Sequence, residues 1–223
     1  MIELRDVWKE YPINRDEIFI ALKGISFSVA AGEFVAITGP SGCGKSTTMQ
    51  ILGLLDRPTR GDVMIGGKEA GKLDDNELSR LRNEYIGFVF QQFNLINKLT
   101  VLENVLVPTI YTRKKLSYNP KEHAEYLLER FGMKEKIKSY PNKISGGQQQ
   151  RVAIARSLIM NPDFVLADEP TGNLDTQTGN EIMSLFSELN TKDKITILLV
   201  THEREIAERA RRQIHMKDGL IVD

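Results

Sequence analysis

The sequence predicts an α/β fold built on a mainly parallel sheet, and three observations carry that expectation. Short apolar runs at Phe34–Thr38, Ile86–Phe90, Phe164–Asp168 and 195–200 have the length and branching of buried strands. Helical periodicities fall between these runs, so the connections are long enough to return the chain to a parallel neighbour. The first run leads straight into Gly39-Pro40-Ser41-Gly42-Cys43-Gly44-Lys45-Ser46-Thr47, and an apolar helical stretch at 48–55 follows it.

Taken in order, residues 2–7 alternate apolar and polar as a half-buried strand does. Residues 19–29 hold a second strand pattern, broken near Lys23-Gly24, and Ala31-Gly32-Glu33 turns the chain into the run at Phe34. Tyr11 falls between the first two strands, on an expected loop, where it either stacks on a purine or packs against the sheet. After the glycine-rich loop come a turn-rich break at 57–62 and a short strand at 63–65. A polar helix follows at 74–82, with Asp74 or Asp75 as its N-cap and Leu78 and Leu81 on its buried face.

From Phe93 to Pro141 strand signals fade and helical ones dominate. Ala124, Leu127, Leu128 and Phe131 fall at i, i+3, i+4 and i+7, behind a cap at Asn119 and a proline at the first helical position. The expected division is one domain, 1–223, with an α/β core at about 1–92 and 162–223 and an inserted helical subdomain at about 93–161. Ile182, Leu185, Phe186 and Leu189 mark an amphipathic helix, and residues 213–222 read as a hairpin turning at Asp218-Gly219.

Thirty basic residues balance thirty acidic ones, so no global field favours nucleic acid or an anionic membrane, and no nucleic-acid partner is expected. Cys43, the one cysteine, rules out an internal disulfide and suits a reducing compartment; in the loop it is a small filler or a redox switch. The first residues lack the pattern of a secretory leader, and no apolar run approaches the ~20 residues of a membrane span. The expected location is cytoplasmic, with any membrane contact made through a partner.

Glycines let the loop curl so that successive N–H groups face an anion, and the following helix adds its positive dipole end. Lys45 then reaches the β- and γ-phosphates, where it serves catalysis as well as binding, and the Ser46 hydroxyl ligates Mg²⁺. Asp168 ends its strand where a carboxylate meets that metal. Glu169 follows, directed away from Asp168 by strand alternation and toward a water in line with the γ-phosphate, as general base or water-orienting group. His202, past the strand at 195–200, sits on the same sheet edge and can contact the γ-phosphate or that water. His123 and His215 read as surface or packing residues. Gln91 either completes the metal shell through its amide oxygen or is an ordinary surface glutamine. Ser145-Gly146-Gly147-Gln148 opens another helix, either as a plain serine cap or as a second phosphate-ready N-terminus serving a nucleotide on another copy.

Ile144-Ser145-Gly146-Gly147-Gln148, lying between the phosphate loop and Ala167-Asp168-Glu169-Pro170-Thr171-Gly172, resembles the signature of ATP-binding-cassette ATPases. The resemblance covers nearly the whole chain, with the motifs in the family's order. It implies a P-loop NTPase core, an antiparallel β subdomain at the N-terminal side and a helical subdomain, with ATP and Mg²⁺ as cofactors. It further implies that Tyr11 stacks on adenine and that Gln91 senses the γ-phosphate and metal. Ser145, Gly147 and Gln148 would touch ATP bound by a partner copy, in a homodimer formed on ATP binding. Asp168 becomes the metal residue, Glu169 the catalytic carboxylate, Asn173-Leu174-Asp175 the loop crossing between subunits, and His202 the switch histidine. Ile144 and Asn173 replace the family's commoner residues and leave the pattern intact.

Residues 52–59, 90–96 and 167–175 are similar to the branch that contains lipoprotein-release and macrolide-export ATPases. That resemblance implies a separate integral membrane permease with few spans and a large extracytoplasmic domain, and a peripheral position at the inner face of the cell membrane. The surface after Gln91 (Phe93, Leu95, Leu99) is the expected dock for it. An importer subunit, a soluble cassette acting on DNA or ribosomes, and a small-molecule kinase are the alternatives.

Overall fold

The structure, a computed structural model, describes residues 2–14 and 17–222. The chain runs β1 (Ile2–Pro12), β2 (Ile18–Val29), β3 (Phe34–Thr38), α1 (Lys45–Leu52), β4 (Arg60–Ile65), β5 (Lys68–Glu69), α2 (Asp75–Tyr85) and β6 (Ile86–Phe90). It continues through α3 (Val101–Ile110), α4 (Pro120–Arg130), α5 (Gly146–Leu158), β7 (Phe164–Asp168), α6 (Thr176–Thr191), β8 (Thr196–Val200), α7 (Arg204–Ala207), β9 (Arg212–Lys217) and β10 (Leu220–Val222). A six-stranded sheet has the order β10-β9-β3-β8-β7-β6, parallel throughout except for the β9–β10 hairpin. A second sheet, β2-β1-β4-β5, is antiparallel.

The pleat sorts the core into two layers. Phe34, Ala36, Val165, Ala167, Ile197 and Leu199 face the side covered by α3 to α6, where they meet Val105, Leu128, Ile154, Ile182 and Phe186. Their neighbours Val35, Ile37, Phe164, Leu166, Leu198 and Val200 face α1 and the antiparallel sheet, against Leu4, Leu22, Ile51 and Ile65. Burial on both faces explains why the parallel strands read as continuous apolar runs. Each large side chain fully removed from water contributes roughly 1.5–3 kcal/mol. Helices α3, α4 and α5 share one continuous apolar cluster with β6 and β7; α5 packs on β6, and α3 and α4 pack on α5 and on each other.

Capping follows local chemistry. Asp74 accepts from the backbone of Glu77 while Glu77 accepts from the backbone of Asp74, and Thr100 with Glu103 repeats the arrangement at α3. Asn119 caps α4 with Pro120 at its first position, as the sequence predicts.

Three expectations need correction. Tyr11 is not on a loop: β1 extends to Pro12, and Tyr11 pairs with Phe19 of β2. Register shifts after Leu4, Val7 and Lys9, with Asp6 at φ 46°, break the two-residue period and hide the strand's second half from the sequence pattern. The helix after the loop begins at Lys45 rather than 48 and stops at Leu52, because Gly44 (φ 104°) starts it and Leu54 (φ 54°) ends it. The strand expected at 195 begins at Thr196, since the Ile195 N–H bonds back to Leu189 of α6.

Candidate active site

Strand β3 delivers the chain to the loop at the C-terminal edge of the parallel sheet. Gly39 has φ 148°, and a Cβ there would sit 2.1 Å from the Met216 carbonyl oxygen of β9, so only glycine fits. The loop closes on itself through Cys43 N–H to the Pro40 carbonyl at 3.4 Å and enters α1 with Thr48 N–H to Gly44 at 2.9 Å. Lys45 is 8 % exposed, and its Nζ donates to the carbonyls of Gly39 and Pro40 at 2.8 Å each. The ammonium is thus held over the concave side of its own loop, where phosphate oxygens are stronger acceptors than carbonyls.

A cavity of about 880 Å³ lies over this loop. Gly39, Pro40, Ser41, Gly42, Gly44, Lys45, Ser46 and Thr47 form its floor; Asp168 and Glu169 enter from the end of β7, Val200 and His202 from the end of β8, and Phe19 and Ala21 from β2. Residues far apart in sequence converge because β7, β8 and β3 are adjacent and parallel, so all three end at one edge.

The carboxylates behave differently from simple alternation. Asp168 and Glu169 line the same cavity because Glu169 leaves extended backbone at φ 42°, with its N–H bonded to the Val200 carbonyl at 2.9 Å. Its Oε1 lies 2.6 Å from Nδ1 of His202. Burial pushes the Asp168 carboxyl above the usual range, the neighbouring Glu169 charge adds to that, and the Lys45 charge opposes it. Ser46 and Asp168 offer two hard oxygens, the donor set that suits Mg²⁺, which keeps waters and takes further ligands from phosphate. Among the described residues, no cluster of three or more His, Cys, Asp and Glu side chains offers an alternative metal site.

Other expected site residues are placed elsewhere. The Cys43 side chain turns into the apolar core, 3 % exposed, which fits the filler role and gives no access for redox chemistry. Gln91 is off the cavity lining: its Nε2 donates to Asn173 Oδ1 at 3.5 Å, and Asn173 Nδ2 donates to the Gln91 backbone carbonyl at 2.9 Å. Tyr11 is also outside the lining, where its strand partner Phe19 appears; its hydroxyl donates to Asp56 Oδ2 at 2.8 Å. Ser145 and Gln148 cap α5 reciprocally, at 3.1 and 3.3 Å, away from this cavity. A Cβ on Gly147 would meet Thr178 Cγ2 at 2.3 Å, so glycine lets α5 approach α6. Asp175 caps α6 through Thr178, whose N–H and hydroxyl hold its carboxyl below the usual range.

Sequence reasoning missed Phe19, whose exposed ring, set between Ile18 and Ile20 in an apolar strand pattern, carried no motif. It also missed Gln150, which is fully buried and donates to the Pro170 carbonyl at 2.7 Å, tying α5 to the chain after Glu169. His215 bonds the Thr38 hydroxyl at 2.6 Å, and His123 packs between Tyr118 and Tyr126, where burial lowers its pKa.

A second groove, about 630 Å³, runs between α2, β6, α3 and α5. Leu55, Phe88, Phe90, Pro108, Tyr111 and Met160 give it an apolar base, and Arg80, Arg82, Arg113 and Arg156 stand around it. The dock expected on Phe93, Leu95 and Leu99 does not coincide with this groove: none of the three lines it, and Leu95 packs inward on the core.

The model of the ABC transporter family matches residues 22–172. An ABC transporter ATP-binding protein of Thermotoga maritima is 49 % identical over 221 residues, 99 % of this chain and 93 % of that protein. A macrolide export ATP-binding/permease protein, MacB of Chlorobaculum tepidum, is 48 % identical over the whole chain, which spans 34 % of its length. Among solved structures, an ATP-binding cassette in a dimeric post-hydrolysis state with ADP and Pi superposes with a TM-score of 0.91. That cassette is 45 % identical, over 100 % of this chain and 97 % of its own.

Proposed function

The chain belongs to the ABC transporter family and is an ATPase cassette, and on that premise we propose that it drives export or mechanotransmission through a separate membrane permease. The convergence of Lys45, Ser46, Asp168, Glu169 and His202 on one cavity carries the reading. The loop N–H groups and Lys45 bind the phosphates of ATP; Ser46 and Asp168 would hold Mg²⁺, which would supply neutralisation of phosphate charge. Glu169 accepts a proton from the attacking water, and His202 fixes the carboxylate that does so. Tyr11 supplies the face on which adenine stacks, at the β2 side marked by Phe19. Gln91, released from Asn173, turns to the γ-phosphate and metal.

Two copies close head to tail, each contributing Ser145, Gly147 and Gln148 to the ATP of the other. In this reading residues 93–161 move as a helical subdomain against the core at 1–92 and 162–223. The arginine-lined groove receives a cytoplasmic segment of the permease, apolar on one side and acidic on the other. The cassette so lies peripherally on the inner face of the membrane. No helix among the described residues is long and apolar enough to cross it, and the similarity to MacB favours the export branch.

The test is an affinity capture of the tagged chain from gently solubilised native membranes. A co-purifying permease with few spans and a large extracytoplasmic domain supports export. A many-span permease with a solute-binding protein moves the chain to import, and ribosomes or DNA alone overturn the transport reading.

A further inference from the structure

We propose that Asp56 and Lys9 are positioning residues that clamp Tyr11 to the helix carrying the phosphate loop, fixing the distance between nucleobase and phosphates. The inference rests on the reading of Tyr11 as the base-stacking residue. Asp56 Oδ2 accepts from the Tyr11 hydroxyl at 2.8 Å, and its Oδ1 accepts from Lys9 Nζ at 2.6 Å. Lys9 Nζ also donates to the Arg57 carbonyl at 2.8 Å and lies 4.8 Å from the centre of the Tyr11 ring. One face of the ring is therefore occupied by a cation, and a flat ligand is left the other.

The far end of the clamp is anchored to α1. The N–H groups of Leu55 and Asp56 both bond the Gln50 carbonyl, at 2.8 and 3.2 Å, so Asp56 is part of that helix's C-terminal turn. At the opposite end of α1 stands Lys45. A tyrosine on the antiparallel sheet is thus fixed to the element that holds the phosphates. The Lys9 and Asp56 side chains are only 12 % and 29 % exposed, so this ion pair is more than a screened surface contact.

A clamp of this kind saves the cost of immobilising the ring when nucleotide binds, and that saving appears for ligands with a base and is absent for ligands without one. Equilibrium binding of ADP and of inorganic pyrophosphate, both with Mg²⁺, is measured for the full chain and for Tyr11→Phe, Asp56→Ala, their double variant and Tyr11→Ala. ADP is expected to bind about threefold to tenfold more weakly to Tyr11→Phe and to Asp56→Ala, the double variant being no worse than the weaker single. Pyrophosphate binds all four variants as it binds the parent chain. Tyr11→Phe keeps the ring and the Lys9–Asp56 pair, so it holds the test open if Asp56→Ala folds poorly. Parent-like ADP affinity in Tyr11→Phe and Asp56→Ala, with a loss in Tyr11→Ala, overturns the clamp alone. Parent-like affinity in Tyr11→Ala as well overturns the base-stacking reading beneath it. Equal losses for ADP and pyrophosphate also contradict the clamp, because the defect then lies in the loop.

Discussion

Nδ1 of His202 lies 2.6 Å from Oε1 of Glu169, and Glu169 reaches it by leaving β7 at φ 42°. The Glu169 N–H also bonds the Val200 carbonyl of β8 at 2.9 Å, and the contact exists because β7 and β8 end side by side. The carboxylate is held at one oxygen by His202, and the other is assigned in the proposed mechanism to the attacking water.

His202→Ala should therefore lower kcat by about a hundredfold, the range for losing a group that orients a general base, with ADP affinity little changed. Steady-state ATPase assays beside ADP titrations check this. An unchanged kcat with a raised KM would place His202 in binding instead.

Asp168 carries a pH prediction. Its carboxyl is raised by burial first and by Glu169 second. A raised group binds protons more readily folded than unfolded, so its contribution is complete at low pH and is lost as pH climbs through the folded pKa. Ionised Asp168 consequently costs the nucleotide-free fold stability. Asp168→Asn is expected to melt at a higher temperature than the parent near pH 7 in a chelating buffer, while ATP hydrolysis collapses. The gap in melting temperature closes toward about pH 4, and a gap that widened there would reverse the sign of the argument.

Ser145→Ala separates capping from a role across the dimer. Loss of the cap on α5 costs about 1 kcal/mol. If Ser145 only caps, ATPase activity survives below the melting transition. The proposal instead expects ADP binding by the single chain to persist and ATP hydrolysis to disappear, as read by calorimetry and phosphate release.

In the core, Phe186 is fully buried beside α6's other apolar positions. Phe186→Ala should cost about 3–5 kcal/mol, whereas Ile110→Ala, at a side chain 74 % exposed, should stay within about 0.5 kcal/mol. Denaturant unfolding of the two variants checks the contrast.

The parallel strands were legible because burial on both faces writes each as an unbroken apolar run, and the loop at Gly39 to Thr47 because its chemistry fixes its residue types. β1 was legible only to Val7, since its bulges destroy the period on which strand reading rests. α3 stayed indistinct within its helical region because its capping box, Thr100 with Glu103, precedes a stretch apolar nearly all round. Asp168, Glu169 and His202 could be assigned to one edge because each follows the end of a buried strand in a sheet expected to be parallel. The relation between Glu169 and Asp168 could not, because a single left-handed residue reverses what alternation predicts. Gln91 and Tyr11 carry motif-like positions, yet the Gln91 Nε2 and backbone carbonyl meet Asn173 and the Tyr11 hydroxyl meets Asp56, partners that no local pattern announces.

The account turns on Glu169 as the group that activates water in a site closed by two copies. Glu169→Gln, which removes the charge and keeps the shape, is the most direct test, with particle mass by light scattering measured beside hydrolysis. The expected result is hydrolysis slowed by about a hundredfold or more, with a shift from monomer to dimer on Mg-ATP and none on Mg-ADP. Hydrolysis at the parent rate, or a chain that binds ATP and stays monomeric, would contradict it.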